Sequence, residues 1–533
     1  MARNLAVPYL RMLIQLISGL ILTPILLDPR YVGPSDYALW ALAAMILGWF
    51  GVMEAGIGGA VQRFLAGSYA TGDEKNIARQ FNTGLAISLL LAAVIASAVL
   101  VSMPWVSRAM TDTSEQAQRL RILLAWLLVA LVTTMQTGIF STVLTARERF
   151  VPIQLIALGI EITRFGLFLL LLLRFHATII DLAIANAILE IINLLSVALV
   201  GKLLVGLPPM GIQHLDVSRT GRMLGGFAGW SLFITIAYIL RARVDLAVAK
   251  LFVGFSTVAV FAVGATLAAK VEGIVSQFGG PYTSRLSRLH ALGDIRGVSE
   301  QFYRGAVVQE SVAMVSGVGM IVFAAAFMNL WIGNKLDSIP GWNDPSGDTP
   351  IVTATHVMQI LAWGWYLGMF GGLVGPLLRA YNRMRSLSML IFSEGVLNLL
   401  LSLVFVTVFD LGLVGIAAGT AVSATIVRTI VTPWVSCHTM KEPLWRYWAR
   451  LQGPLLLIGG LGAVSGLLLQ PEKWINNWPL FFVSTVVFGA VLMGLTCLLP
   501  IHPLQVWLKH ANDLRAATVI EKQDRGEDGN GVG

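Results

Sequence analysis

The sequence predicts an all-α polytopic membrane protein with about fourteen transmembrane helices, and three observations carry that expectation. Of 533 residues, 56% are hydrophobic and only 12% are charged, against roughly 25% charged in soluble domains. Apolar runs such as Tyr37–Gly59, Phe81–Met103, Leu120–Ala146 and Phe481–Leu499 reach the roughly 20 residues needed to cross about 30 Å of hydrocarbon. The short loops between such runs alternate between rich and poor in Lys and Arg. Nothing between the runs is large enough to fold as a soluble catalytic domain.

Taken in order, the spans fall near 9–27, 37–59, 81–103, 120–146, 152–173, 180–201, 222–243, 251–277, 305–330, 354–378, 388–408, 412–435, 451–470 and 480–499. With the N-terminus inside, the inner segments carry about 25 basic residues and the outer ones about 8, a positive-inside bias that puts both termini in the cytoplasm. The formal charge of +8 therefore belongs to membrane insertion rather than to nucleic acid. Trp40, Trp105, Trp331, Trp342, Trp445, Trp448, Trp474 and Trp478 fall near span ends and read as interfacial anchors. Cys437 and Cys497 lie far apart, which supports neither a disulfide framework nor a Cys-based metal site. No short apolar region ends in a small-residue cleavage site, so no cleaved signal peptide is expected. The stretch 501–533 turns polar and reads as a disordered cytoplasmic tail.

An internal repeat organises the spans. Ala70-Thr71-Gly72-Asp73 with Gln80-Phe81 is matched, 221 positions later, by Ala291-Leu292-Gly293-Asp294 with Gln301-Phe302. Further on, Leu144-Thr145-Ala146-Arg147 and Glu161 find counterparts in Leu378-Arg379-Ala380-Tyr381 and Glu394, the offset drifting to about 234. The expected domains are an N-lobe at 1–211 (six spans), a C-lobe at 212–440 (six spans), two further spans at 441–500 and the tail. Because six is even, both lobes insert in the same sense, related by a pseudo-two-fold axis along the membrane normal. A cleft between such bundles suits alternating access by rocking of one lobe against the other.

Some of these residues are similar to a known family. The stretch Gly19-Leu20-Ile21-Leu22-Thr23-Pro24, then Val32-Gly33-Pro34-Ser35-Asp36-Tyr37-Ala38-Leu39-Trp40, then Glu54-Ala55-Gly56-Ile57-Gly58 with Arg63-Phe64, resembles the opening of one transporter family. That family is the polysaccharide transporter branch of the multidrug/oligosaccharidyl-lipid/polysaccharide exporter (MOP) superfamily. Glu394-Gly395-Val396-Leu397-Asn398-Leu399-Leu400-Leu401-Ser402 with Gly412-Leu413-Val414-Gly415-Ile416-Ala417-Ala418-Gly419-Thr420 resembles its C-terminal half. One departure is Glu54, where the family usually has Asp. The resemblance covers about residues 9–435. It implies a flippase of the bacterial cytoplasmic (inner) membrane that moves polyprenyl-diphosphate-linked sugar to the outer leaflet. It also implies a place beside glycosyltransferases and a polysaccharide polymerase in surface polysaccharide synthesis.

A charge at mid-bilayer costs about 2.5–3.5 kcal/mol on insertion scales, so intramembrane charges normally face a cavity or a partner. Glu161 and Arg164 stand three apart on one helix face and read as an intrahelical ion pair. Arg241 and Asp245 have similar spacing, four apart. Arg241, Arg243 and Lys270, with Arg11 at the matching opening of the first lobe, are the cations expected to meet a diphosphate. For Arg11 and Arg241, a place near a span end leaves snorkelling to headgroups open. Glu54, Glu190, Glu310 and Glu394 lack a basic residue one turn away and are the candidate cavity carboxylates for H⁺ or Na⁺ coupling. A protonated Glu hydrogen-bonded between helices is the structural alternative for each.

Two other functions fit parts of this pattern. A multidrug or cation antiporter of the same fold would need an acidic, aromatic cavity. A membrane polymerase, ligase or glycosyltransferase would need catalytic groups on a large outer loop, and Trp331–Thr353 offers only Asp337, Asp344 and Asp348. No Gly-x-x-x-x-Gly-Lys-Ser/Thr loop and no metal-ligand spacing is present, so no ATP site, no bound cofactor or metal and no catalysis is expected.

Overall fold

The computed structural model describes residues 2–216, 233, 236–241, 244–276, 279–337, 339–342, 347–368 and 372–499, and no strand occurs among them. The helices are α1 (Ala2–Leu27), α2 (Pro34–Thr71), α3 (Glu74–Ala109), α4 (Ser114–Ala146), α5 (Phe150–Phe175) and α6 (Ile179–Leu204). They continue with α7 (Asp245–Val248), α8 (Ser256–Ser276), α9 (Gly279–Ala291), α10 (Ile295–Trp331), α11 (Pro350–Gly368) and α12 (Val374–Ala380). The last are α13 (Met384–Thr407), α14 (Gly412–Ile426), α15 (Thr432–Met440), α16 (Leu444–Tyr447), α17 (Gly453–Leu468) and α18 (Trp478–Cys497). Eleven helices among the described residues are long and apolar enough to cross a membrane. Their apolar surface, with Leu90, Val101, Leu461 and Val486 exposed, is what a lipid solvent allows and water does not. The chain is a multi-pass membrane protein.

Three expected spans differ in form. The 37–59 span lies inside α2, whose 38 residues rise about 57 Å and outrun the hydrocarbon. Most of 222–243 lies outside the described residues, as does the 501–533 tail. The 354–378 span is divided between α11 and α12, with 369–371 outside the described residues.

Helix ends follow local chemistry. At the two Gly-Asp turns of the repeat, Gly72 (φ 69°) and Gly293 (φ 72°) adopt the left-handed backbone that ends a helix. Asp73 then accepts the Asn76 amide at 3.1 Å, and Asp294 the Gly297 amide at 2.8 Å, each capping the helix that follows. Reciprocal capping boxes start α4 (Thr113, Gln116) and α6 (Thr178, Asp181).

Pro24 has no N–H to give the Leu20 carbonyl one turn back. The Trp331 indole N–H donates to that carbonyl at 2.6 Å instead. Trp331 is buried at 5% exposure, which corrects its reading as an interfacial anchor: its indole satisfies a backbone acceptor inside the protein. Trp105 and Trp445 are exposed, as interfacial residues are.

The chain forms two compact units. The first comprises Met1–Lys270, Met328–Val357 and Ile391–Ser423, so it draws helices from both sequence halves. The second comprises Val271–Phe327, Met358–Leu390 and Ala424–Gly533. In the second unit, Tyr366 lies against Gly317 and Gly459 and donates to the Leu456 carbonyl at 2.7 Å. Phe323, Phe327, Phe481 and Phe488 pack edge to face or tilted where α18 meets α10.

Candidate transport site

Two polar networks lie in the first unit. The first joins α1, α5 and α6. Arg164 Nη1 reaches Glu161 Oε1 at 2.7 Å on its own helix, and its Nη2 reaches Glu190 on α6. The Gln15 amide of α1 donates to Glu161 Oε1 at 3.1 Å, and Asn193 donates to Glu190 Oε2 at 3.3 Å. One guanidinium thus serves two carboxylates, leaving one negative charge in excess among the described residues. Glu190 was expected to lack a basic partner; α5 lies beside α6 and supplies Arg164 from 26 residues away, a distance that one-turn spacing does not register.

The second network joins residues 236–248 to α13 and α14. Arg241 Nε sits 3.0 Å from Glu394, with its guanidinium 5.7 Å from the Tyr238 ring centroid. Glu394 therefore has a cation too. The Arg241–Asp245 spacing does not make a pair. Asp245, nine-tenths buried, instead accepts from Asn398 Nδ2 at 3.1 Å and from the Thr420 hydroxyl at 3.0 Å. Ser402 and Thr420 also lie within 3.2 Å and 3.0 Å of Asn398 Oδ1. Two glycines make this assembly possible. A Cβ on Gly395 would stand 2.9 Å from the Arg241 backbone nitrogen, and one on Gly419 would stand 2.6 Å from the Ser402 nitrogen. Without side chains there, the helices approach closely enough for Glu394 to meet Arg241 and for Thr420 to meet Asn398. Asn398, Ser402, Gly419 and Thr420 were visible in the sequence as a family motif, but not as the partners of Asp245. An Asn three residues after Gly395 and a Thr next to Gly419 were the available signal.

Thr420 carries one hydroxyl hydrogen but lies within hydrogen-bond distance of Asp245 Oδ2, Asn398 Oδ1 and the Ile416 carbonyl. Among the described residues no cation pairs with Asp245. Its partners among the described residues are neutral donors.

The remaining sequence candidates are placed as follows. Arg243 and the side chain of Glu54 lie outside the described residues. Glu310 is in the second unit at 1% exposure and accepts the Tyr447 hydroxyl at 3.2 Å. Arg11 is half-buried, its Nε enclosed with no hydrogen-bond partner among the described residues. Lys270 is exposed, and its Cε lies 3.5 Å from where a Cβ on Gly19 would stand. Arg11, Gln15 and Gly19 succeed one another at four-residue steps along α1, a single drifting row of that helix. Arg11 is thus a turn from the first network and Lys270 a turn beyond it.

A cavity of about 240 Å³ lies in the first unit beside a further ion pair. It is lined in part by Ser35, Asp112, Gln116, Phe255, Ser256 and Pro340. Asp112, in the turn between α3 and α4, receives the Lys250 ammonium at 2.7 Å. Lys250 sits on a π-helical turn, Ala249–Val253, that ends at Gly254 with φ 140°.

A MatE family model matches residues 9–167. No curated protein sequence matches the chain. Solved structures match most of its length. An inward-facing multidrug resistance MATE family transporter of the MOP superfamily aligns with TM-score 0.64 and 15% identity, covering 83% of this chain and 98% of that one. The lipid II flippase MurJ, in an inward closed conformation, aligns with TM-score 0.67 and 12% identity over 93% and 98%. A MOP superfamily transporter from Pyrococcus furiosus, described as having a binding pocket of reversed polarity, aligns with TM-score 0.61 and 14% identity over 83% and 96%. The chain has the fold of the MOP-superfamily transporters.

Proposed function

We propose that the protein is a flippase for polyprenyl-diphosphate-linked oligosaccharide, working by alternating access of lobes 1–211 and 212–440 with both termini in the cytoplasm. One observation carries the substrate class. Arg164 and Arg241 are neutralised by glutamates, whereas Arg11 and Lys270 flank one row of α1 without a partner among the described residues. The eight residues from Arg11 to Gly19 rise about 12 Å, which two long side chains can close around a diphosphate. Guanidinium and ammonium groups are the natural partners of phosphate oxygens. Arg241, held by Glu394, acts here as a support for α13 rather than as a phosphate ligand, and Arg243 stays a candidate from the sequence.

The second reading is a cation antiporter, favoured by the excess carboxylate in each network. Both readings include coupling to H⁺ or Na⁺. Asp245, held by neutral donors among the described residues, is the carboxylate whose charge such an ion would cancel, and the ion would then favour one lobe arrangement over the other.

Vesicle reconstitution separates them. Outer-leaflet delivery of a lipid-linked sugar should fall at least tenfold in Arg11→Ala and Lys270→Ala at normal expression. Full delivery in both variants, together with uptake of a cationic dye driven by a Na⁺ or proton gradient, would replace the flippase with the antiporter.

A further inference from the structure

The second unit holds a polar site that the transport reading does not use. On α10, Tyr303 and Glu310 stand seven residues apart and share a helix face. Opposite them, α16 runs into a π-helical turn, Trp448–Gln452. In such a turn residues five apart lie above one another, so Tyr447 and Gln452 present one face. Tyr447 donates to Glu310 Oε1 at 3.2 Å, and its ring centroid lies 6.1 Å from that of Tyr303. All four side chains are buried, Tyr447 and Gln452 completely.

Their hydrogen bonds do not balance within the protein. Both polar atoms of the Gln452 amide and the Tyr303 hydroxyl are enclosed and lack partners among the described residues. Buried polar atoms in this condition point to an unseen proton, water or ion. The donor inventory decides between them. Among these four side chains Tyr303, Tyr447 and Gln452 Nε2 carry hydrogens, and Glu310 and Gln452 Oε1 are the oxygens without one. That set is poor for a metal cation and well matched to a neutral carboxyl with water.

We propose that Glu310, Tyr303, Tyr447 and Gln452 form an enclosed site that binds one proton, carried on Glu310, with water meeting the Gln452 amide and the Tyr303 hydroxyl. The site depends on the membrane placement of α10 and not on the substrate. The ionisable groups acting on the two phenols from neighbouring elements are Cys437 of α15, Glu442, Arg446 and Arg450. Arg446 is engaged by Glu442 at 3.1 Å. On α8 and α9 the ionisable groups on this side are Glu272, a turn before the Val275 carbonyl that accepts from Gln309, and Tyr282, against Gly305. Tyr366 of α11, against Gly317, donates its hydroxyl to Leu456.

Infrared spectroscopy of the purified full-length protein tests this without any transport assay. At neutral pH the wild type should show a protonated-carboxyl carbonyl band assignable to Glu310. That band should be absent from Glu310→Gln and displaced in Tyr447→Phe and Gln452→Leu. Should Glu310→Gln fail to fold, displacement in the other two variants carries the test. A protonated-carboxyl spectrum identical in wild type and all folded variants would overturn the proposal. So would loss of the wild-type band on adding NaCl, which would make the occupant a cation. A failed flipping assay leaves this result untouched, because the readout is the carboxyl itself.

Discussion

The two networks of the first unit handle the same difficulty differently. Around Glu161, one arginine is shared by two glutamates on adjacent helices, and neutral amides of Gln15 and Asn193 complete the set. Around Glu394, the arginine serves one glutamate, and the second carboxylate, Asp245, is given to Asn398 and Thr420. Among the described residues each network contains two carboxylates and one cation, one negative charge in excess. The first gathers both carboxylates around one guanidinium. The second leaves one carboxylate, Asp245, to neutral hydrogen-bond donors. A low-dielectric setting punishes an isolated charge, so the second arrangement is the one in which a proton or Na⁺ has most to gain.

Removing the shared cation should have the largest effect. Arg164→Ala leaves Glu161 and Glu190 opposed with no counter-charge and should destabilise the protein by about 3 kcal/mol, measured by thermal unfolding in detergent. Adding Glu190→Gln to that variant should restore much of the loss. If Arg164→Ala melts like wild type, the guanidinium is not the centre of the first network.

Arg241→Ala exposes one glutamate rather than two, so a smaller loss of about 2 kcal/mol is expected. A double-mutant cycle with Glu394→Gln should show that most of it is pairwise coupling. Equal losses at Arg164 and Arg241 would erase the contrast between the networks.

Asp245→Asn should change stability by no more than about 1 kcal/mol, because an amide can keep hydrogen bonds to Asn398 and Thr420. Its signature is functional: the dependence of transport on a H⁺ or Na⁺ gradient should disappear. If gradient dependence survives there and vanishes in Glu190→Gln, the exchangeable charge belongs to the first network.

The smallest effect lies outside the spans. In the loop between α1 and α2, a hydrogen bond from the Arg30 guanidinium lowers the Asp28 pKa from 3.8 to about 2. A depressed carboxyl contributes stability that is full above the unfolded value and is lost as pH falls through the folded one. Thermal unfolding of the wild type should therefore show an acid slope between about pH 4 and 2 that is shallower in Asp28→Asn. No difference in slope would show that this pair leaves stability unchanged.

Much of this was legible before any coordinates. Helix ends at Gly72-Asp73 and Gly293-Asp294 depend on one glycine and one carboxylate acting within four residues, so local sequence suffices. The Glu161–Arg164 spacing likewise fixes a contact on one helix face. Partner choice between helices was not legible. Glu190 and Glu394 looked unpartnered, and Asp245 looked paired with Arg241, because spacing along one helix says nothing about the neighbouring helix.

By itself the sequence determined that the chain is all-helical and multi-pass, where most of the described helices begin and end, and that several carboxylates lie within them. Those properties follow from apolar length, backbone satisfaction in lipid and caps a few residues long. Only the tertiary structure decided which charge meets which. That depends on helices brought together at Gly395 and Gly419, where the absence of a Cβ lets two backbones approach and hands Arg241 to Glu394 and Thr420 to Asn398. An ion pair between residues far apart in sequence has no local signature, because its energy exists only once packing has removed both partners from lipid.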